Sequence, residues 1–335
     1  MIALLLHGKS GVAFLSKQES GANVKTINHT LPGTGPDNRI IALDTLTRRR
    51  YMSVTLTPVT VKTALTPTGG FLYAFTHTLT PYWGCSYGHS CFYCYVGESP
   101  IQRLHADGLA WGDWVKPKVN IAEVLERELE GVARTGTALR VFFSGATEPF
   151  PPGLEPKYRL SGKCLEAFRR FPPALLVVQT RSPLVERYFE LLAAMPTVVL
   201  NLTIETDDDE VRRRLTPSCP TVERRLAVAR AATARGIFTQ ITASPALPHN
   251  PERFAELIAA SCCRAIIDDF MNGDGARGTR SRRRGVPQTL ARHGYPGWFG
   301  PETTQSLYTA LVRRMGEERV GYSRAGFNQF VVPER

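Results

Sequence analysis

The chain has little cysteine, methionine or tryptophan: 7, 5 and 4 residues of 335. The cysteine count is odd and the residues cluster, which excludes the disulfide framework of a secreted protein. No apolar run is long enough to span a bilayer, which excludes a membrane-spanning helix and predicts no membrane partner. The opening Met1-Ile2-Ala3-Leu4-Leu5-Leu6 is too short for a signal-peptide core and carries no basic flank before it, so the expected location is the cytoplasm. No internal repeat recurs along the chain, which excludes a repeat array. Through residue 70 there is no sustained hydrophobic period. Acid is also in the minority, with 30 Asp+Glu against 41 Lys+Arg and a net charge of +11.

What is present is an ordinary globular composition, 43% hydrophobic and 21% charged, in a chain long enough to bury one large core with extensions. The basic excess is mostly arginine, in Arg48-Arg49-Arg50, Arg212-Arg213-Arg214 and Arg280-Ser281-Arg282-Arg283-Arg284. Guanidinium forks suit phosphates, so this surface predicts a nucleic-acid partner, against the alternative of a compositional bias without a ligand.

Three of the cysteines lie within Cys85-Ser86-Tyr87-Gly88-His89-Ser90-Cys91-Phe92-Tyr93-Cys94. Three thiols on one tight loop point to a metal or iron–sulfur site. A four-iron cube held by three cysteines keeps one iron open to a further ligand. A tetrahedral zinc held by Cys85, His89, Cys91 and Cys94 is the alternative.

The loop follows an apolar run at 71–79 that reads as a strand. Further short apolar runs lie at 138–144, 174–179, 197–203, 237–243 and 264–269, separated by helical patterns. One helix starts after Asn120, with Ile121, Val124, Leu125, Leu129 and Val132 on one face. Ser182-Pro183 and Asn250-Pro251 read as helix starts, and Gly236 as a helix stop. A helix over 302–315 precedes a tail at 320–330. Six strands alternating with helices predict an α/β fold with a parallel sheet, whose functional site lies at the C-terminal strand ends. Residues 1–70, with a short strand at 51–56, form an expected N-terminal extension, 71–270 the core, and 271–335 a C-terminal extension holding a Gly/Arg loop at 272–285.

The segment Leu79-Thr80-Pro81-Tyr82-Trp83-Gly84 and the cysteines with Tyr95 resemble the cluster loop of radical S-adenosylmethionine (SAM) enzymes, most closely the spore photoproduct lyase-like branch. That branch usually has three residues in the first gap between cysteines; here there are five. The resemblance covers about residues 61–269 and takes in Trp111-Gly112 and Val115-Lys116. It implies a partial (β/α)6 TIM-type barrel, a 4Fe–4S cluster on Cys85, Cys91 and Cys94, SAM as cosubstrate and an external electron donor. It implies that Ser144 and Glu148, in Ser144-Gly145-Ala146-Thr147-Glu148, meet the methionyl end of SAM. Tyr93 would meet the adenine, and Thr203 and Glu205 the ribose. At Thr216 the branch usually has an acidic residue, so no role is carried over there. No cysteine aligns with the radical-quenching cysteine of spore photoproduct lyase, so photoproduct repair is not implied. Cys164, Cys262 and Cys263 read as packing residues and Cys219 as a turn residue. Two alternatives to SAM chemistry remain: a zinc- or cluster-stabilised nucleic-acid module, and an electron-transfer cluster protein.

Overall fold

The apolar runs form strands because parallel strands covered on both faces need apolar side chains in both directions. On the strand Leu175–Thr180, Leu176 and Val178 face the helix-side core, while Leu175 and Val177 join a second apolar cluster. The computed structural model describes residues 4–8, 11–15, 39–40, 54–271 and 277–329. Most of the expected 1–70 extension, residues 51–53 of its strand, residues 272–276 of the Gly/Arg loop and the end of the tail from 330 lie outside the described residues.

Among the described residues the main sheet has eight strands. They are β1 (Leu65–Pro67), β2 (His77–Leu79), β3 (Arg140–Phe143), β4 (Leu175–Thr180), β5 (Val198–Thr203), β6 (Phe238–Ala243), β7 (Arg264–Ile267) and β8 (Val320–Tyr322). From β2 to β8 every neighbouring pair is parallel, and β1 runs antiparallel to β2. Spatial order follows chain order without reversal. With right-handed crossovers this keeps the helices on one face and curls the sheet into a partial barrel.

The helices read from the sequence are present. α1 (Ile121–Thr135) buries Ile121, Val124, Leu125 and Leu129 and stops at Gly136, whose φ of 67° is left-handed. Asn120 does not cap it; its amide instead bonds Val61, accepting from N at 2.8 Å and donating to O at 2.9 Å. The hydroxyls or amides of Ser182, Thr221 and Asn250 do cap the helical segments after them. Helix Glu302–Met315 has the expected bounds. No described helix is long and apolar enough to cross a membrane.

The first strand is shorter than expected. Only His77–Leu79 pairs, and Gly70–Leu72 forms a 3-10 turn. The rings of Phe71 and Phe75 are used elsewhere: Phe71 packs 5.3 Å from Phe327, and Phe75 5.1 Å from Phe142, closing the barrel floor. The tail supplies β8 and helix Ser323–Asn328, whose Asn328 accepts from Ala74 N and donates to Phe71 O, each at 2.8 Å.

A second sheet pairs Arg39–Ile40, Val54–Leu56, Trp114–Pro117 and Tyr82–Gly84, in that spatial order. Tyr82–Gly84 leads directly into the cysteine loop. Gly84 has a φ of 76°, and a Cβ there would meet Trp114 O at 2.2 Å, so only glycine fits. The first 38 residues form a separate unit, in which Leu4–Gly8 and Gly11–Leu15 pair as an antiparallel hairpin.

Candidate active site at the barrel mouth

The loop between Cys85 and Cys94 is a series of tight turns. Gly88 N donates to Cys85 O at 3.0 Å, Cys91 N to Tyr87 O at 2.9 Å, and Cys94 N to Cys91 O at 2.9 Å. The enlarged first gap is packed rather than loose. A Cβ on Gly88 would meet Gly112 Cα at 2.6 Å, and one on Gly112 would meet His89 N at 2.7 Å. The two extra residues lean on this neighbouring segment, where His89 Nε2 lies 2.6 Å from Asp113 Oδ1. His89 is therefore engaged away from the thiols. Among the described residues no three His, Cys, Asp or Glu side chains surround one point as a single ion requires. A cube differs, because it spreads its protein ligands over separate irons.

Cys85, Cys91 and Cys94 all line one cavity of about 830 Å³ at the C-terminal strand ends. That volume is at the large end for small-molecule sites. Burial and the nearby Cys94 push the Cys85 thiol up to about 12. A hydrogen bond with Cys219, then burial, pushes Cys91 up, and burial pushes Cys94 up. Iron would displace these protons on binding.

The strand ends supply polar groups around the thiols. Ser144, just after β3, has a φ of 68°, unusual for a residue with a side chain. Its amide donates to Leu79 O at 2.8 Å, its buried hydroxyl has no partner among the described residues, and the residue lines the cavity. Glu148 and Thr203 line it too. The Glu148 carboxylate already accepts from Thr180 Oγ1, from Phe150 N at 2.9 Å and from Arg181 N at 3.0 Å. Oε2 accepts only from Arg181 N, so that oxygen keeps acceptor capacity. Burial pushes this carboxyl up, against the hydrogen bonds it accepts.

Tyr93 lines the cavity, and its hydroxyl donates to Glu205 at 2.7 Å. Glu205 itself is not on the cavity wall. It is fully buried between Arg225 and Arg181, whose Nη1 lies 3.0 Å from Oε1. Burial alone would raise its pKa, but Arg225 and then Arg181 outweigh that and hold it down to about 2. The residue that sequence reasoning missed is Arg181. Its Nη1 lies 2.9 Å from Cys91 Sγ, 3.3 Å from Tyr93 Oη and 3.4 Å from Cys219 Sγ. Cys219, read as a turn residue, thus sits buried beside Cys91. Nothing in a 128-residue separation signals that meeting.

The arginines of the Gly/Arg segment divide by role. Arg280 lines the cavity. Arg282 packs over Phe299 at 4.7 Å, and Arg282 and Arg283 are exposed. Arg284 is turned to the cysteine loop, with Nε 3.5 Å from Phe92 O and Nη1 4.0 Å from Glu98.

A sequentially wound parallel barrel with three thiols and an unpartnered hydroxyl at its mouth defines a cofactor enzyme rather than a structural metal module. The profile of the radical SAM superfamily matches residues 79–260, more than half of the chain. The chain belongs to the radical SAM superfamily, and its cofactors are a 4Fe–4S cluster and SAM. An uncharacterized protein of Mycobacterium tuberculosis is 27% identical over 319 residues, 91% of each chain. An uncharacterized protein of Methanocaldococcus jannaschii is 24% identical over 173 residues, 51% of this chain and 61% of that one. Among solved structures, a spore photoproduct lyase mutant with bound AdoMet and dinucleoside spore photoproduct superposes with a TM-score of 0.56 at 14% identity, covering 80% of this chain and 81% of that one. Spore photoproduct lyase complexed with the dinucleoside photoproduct gives 0.55 at 14%, with the same coverage. This likeness is one of fold. The residues at the mouth suit the cofactors: three thiols face a cavity roomy enough for both, and the Ser144 hydroxyl awaits a partner.

Proposed function

We propose that Cys85, Cys91 and Cys94 hold the cluster, that Ser144, Glu148, Tyr93 and Thr203 surround SAM, and that the substrate is a nucleic acid. The core at 71–270 carries this machinery. When bound, the cofactor pair supplies a 5′-deoxyadenosyl radical by one-electron reductive cleavage of SAM, with the electron from an external donor.

The chain's own residues do the rest. Ser144, held in a left-handed conformation, brings its turn to the methionyl end, and its buried hydroxyl has a bond to give. The spare acceptor capacity of Glu148 Oε2 suits a cationic amine. Arg181, anchored by Glu205, donates to the Cys91 sulfur and fixes that side of the loop. Glu205 thereby acts as a support for Arg181, not as a ribose contact. The single observation that carries the reading is that all three loop cysteines and Ser144 line one cavity.

The nucleic-acid part is supported by the +11 charge, by Arg280 on the cavity wall, and by the shared fold with a lyase whose structures hold a dinucleoside photoproduct. The test is binding of a labelled oligonucleotide by cluster-loaded protein across a salt series. Affinity that falls steeply with salt supports the reading. Absence of binding at low salt refutes it.

A further inference from the structure

The cavity has a second polar corner, made of side chains that none of the proposed cofactor contacts uses. Trp83, one residue before Gly84, is stacked on the His105 imidazole, with centroids 3.8 Å apart and planes 12° from parallel. The Lys118 ammonium lies 4.4 Å from the centre of the same indole. All three side chains line the cavity that holds the loop thiols.

Lys118 is the unusual member. It is only 5% exposed. Its backbone N–H donates a hydrogen bond to Pro81 O at 3.1 Å, so the stem enters the cavity from the end of the second sheet. Among the described residues no hydrogen-bond acceptor meets its ammonium, and its neighbours are the Trp83 ring and the Cys164 thiol. Burial lowers this amine to about 7. His105 is lowered as well, by burial and then by Lys116 and Lys118. The nearby acid, Asp107, is already bound to Lys116 at 2.6 Å. Among the described residues no acid bonds either of these two basic groups at this corner, an arrangement that costs stability until an anion arrives.

We propose that Lys118 and His105, gathered on Trp83, form a subsite for a phosphate group of the substrate. An ammonium and an imidazole each present point donors from separate directions, which suits a tetrahedral anion. A planar carboxylate is better met by the fork of an arginine. The inference rests on the nucleic-acid reading only for the source of the phosphate, which is a strand phosphodiester or a small phosphorylated molecule.

The experiment uses cluster-reconstituted protein and two probes at constant ionic strength, inorganic phosphate and a labelled single-stranded 12-nucleotide DNA of mixed sequence. Lys118→Met keeps the stem's bulk and removes the buried amine, so its melting temperature without phosphate should not fall. Phosphate should raise the melting temperature of the wild type and leave Lys118→Met unmoved. Oligonucleotide affinity should drop about 10- to 100-fold in Lys118→Met. His105→Gln should weaken both probes by a smaller factor, and it stands in if Lys118→Met does not fold. Phosphate binding that needs Lys118, with no oligonucleotide binding by the wild type, leaves this subsite standing and removes the nucleic-acid reading. Oligonucleotide and phosphate binding that ignore both substitutions overturn the subsite and leave that reading intact. A wild type that binds neither probe overturns the subsite too.

Discussion

The inner wall of the barrel changes character over a few residues. Below the cavity, Phe75, Phe142, Val177, Val199 and Phe327 pack against each other. Two to four residues further along the same strands come Ser144, Thr180, Arg181 and Thr203, with the three cysteines beside them. The floor makes the barrel stable and the mouth makes it reactive. A parallel strand, covered on both faces, can be apolar through its length and turn polar only where it stops.

Substitutions should separate these two regions. The largest effect is expected at the thiols. Cys85→Ala, Cys91→Ala and Cys94→Ala should each abolish the broad absorption of the reconstituted cluster, whereas Cys164→Ala and Cys262→Ala should retain it. Phe75→Ala, in the floor, should do the opposite, lowering stability in urea unfolding by about 3–5 kcal/mol while the cluster still loads.

Glu205 belongs to both regions, because it is buried like the floor and serves the mouth. Glu205→Gln leaves two guanidiniums without a counter-charge and should cost about 3–5 kcal/mol. The carboxyl is held down to about 2 in the fold, below its ordinary value near 4.5. Its contribution is therefore complete above roughly pH 4.5 and is lost as pH falls towards 2. Melting of cluster-free protein between these pH values should show a steeper acid loss in the wild type than in Glu205→Gln. Parallel curves would remove the carboxylate from this role.

Glu148→Ala should weaken SAM binding by about 10- to 100-fold, measured by calorimetry on cluster-loaded protein, with cluster content unchanged. The smallest effect concerns the rim. Replacing the two exposed arginines, Arg282 and Arg283, with glutamine should flatten the log–log salt dependence of oligonucleotide binding by about 1.5 to 2 units. Arg284 is excluded from that pair, since its contacts to Phe92 and Glu98 hold the cysteine loop.

The six central strands were legible because each is a short, mainly apolar or β-branched run between helical patterns. β1 and β8 were not, since three residues carry no period and their partners are distant in sequence. The run at 71–79 read as one strand because its phenylalanines look the same in a strand as in a floor. The cysteine loop was legible from spacing alone. The supports of the site were not: Arg181, Cys219 and the Trp83–His105–Lys118 corner come together only through the winding of the barrel. Glu205 was legible as a polar strand end but its pairing with Arg181 and Arg225 was not, because a polar strand end gives no sign of whether it faces the cavity or the helix behind it. The close backbone approach that Gly88 permits to Gly112 was not legible either, since the two lie on separate turns.

The central claim is that the loop thiols hold the cluster that cleaves SAM. It is tested most directly by incubating reconstituted protein anaerobically with dithionite and SAM and measuring 5′-deoxyadenosine. The account predicts 5′-deoxyadenosine from the wild type and none from Cys91→Ala. Equal 5′-deoxyadenosine from Cys91→Ala, with its cluster absorption intact, would contradict it.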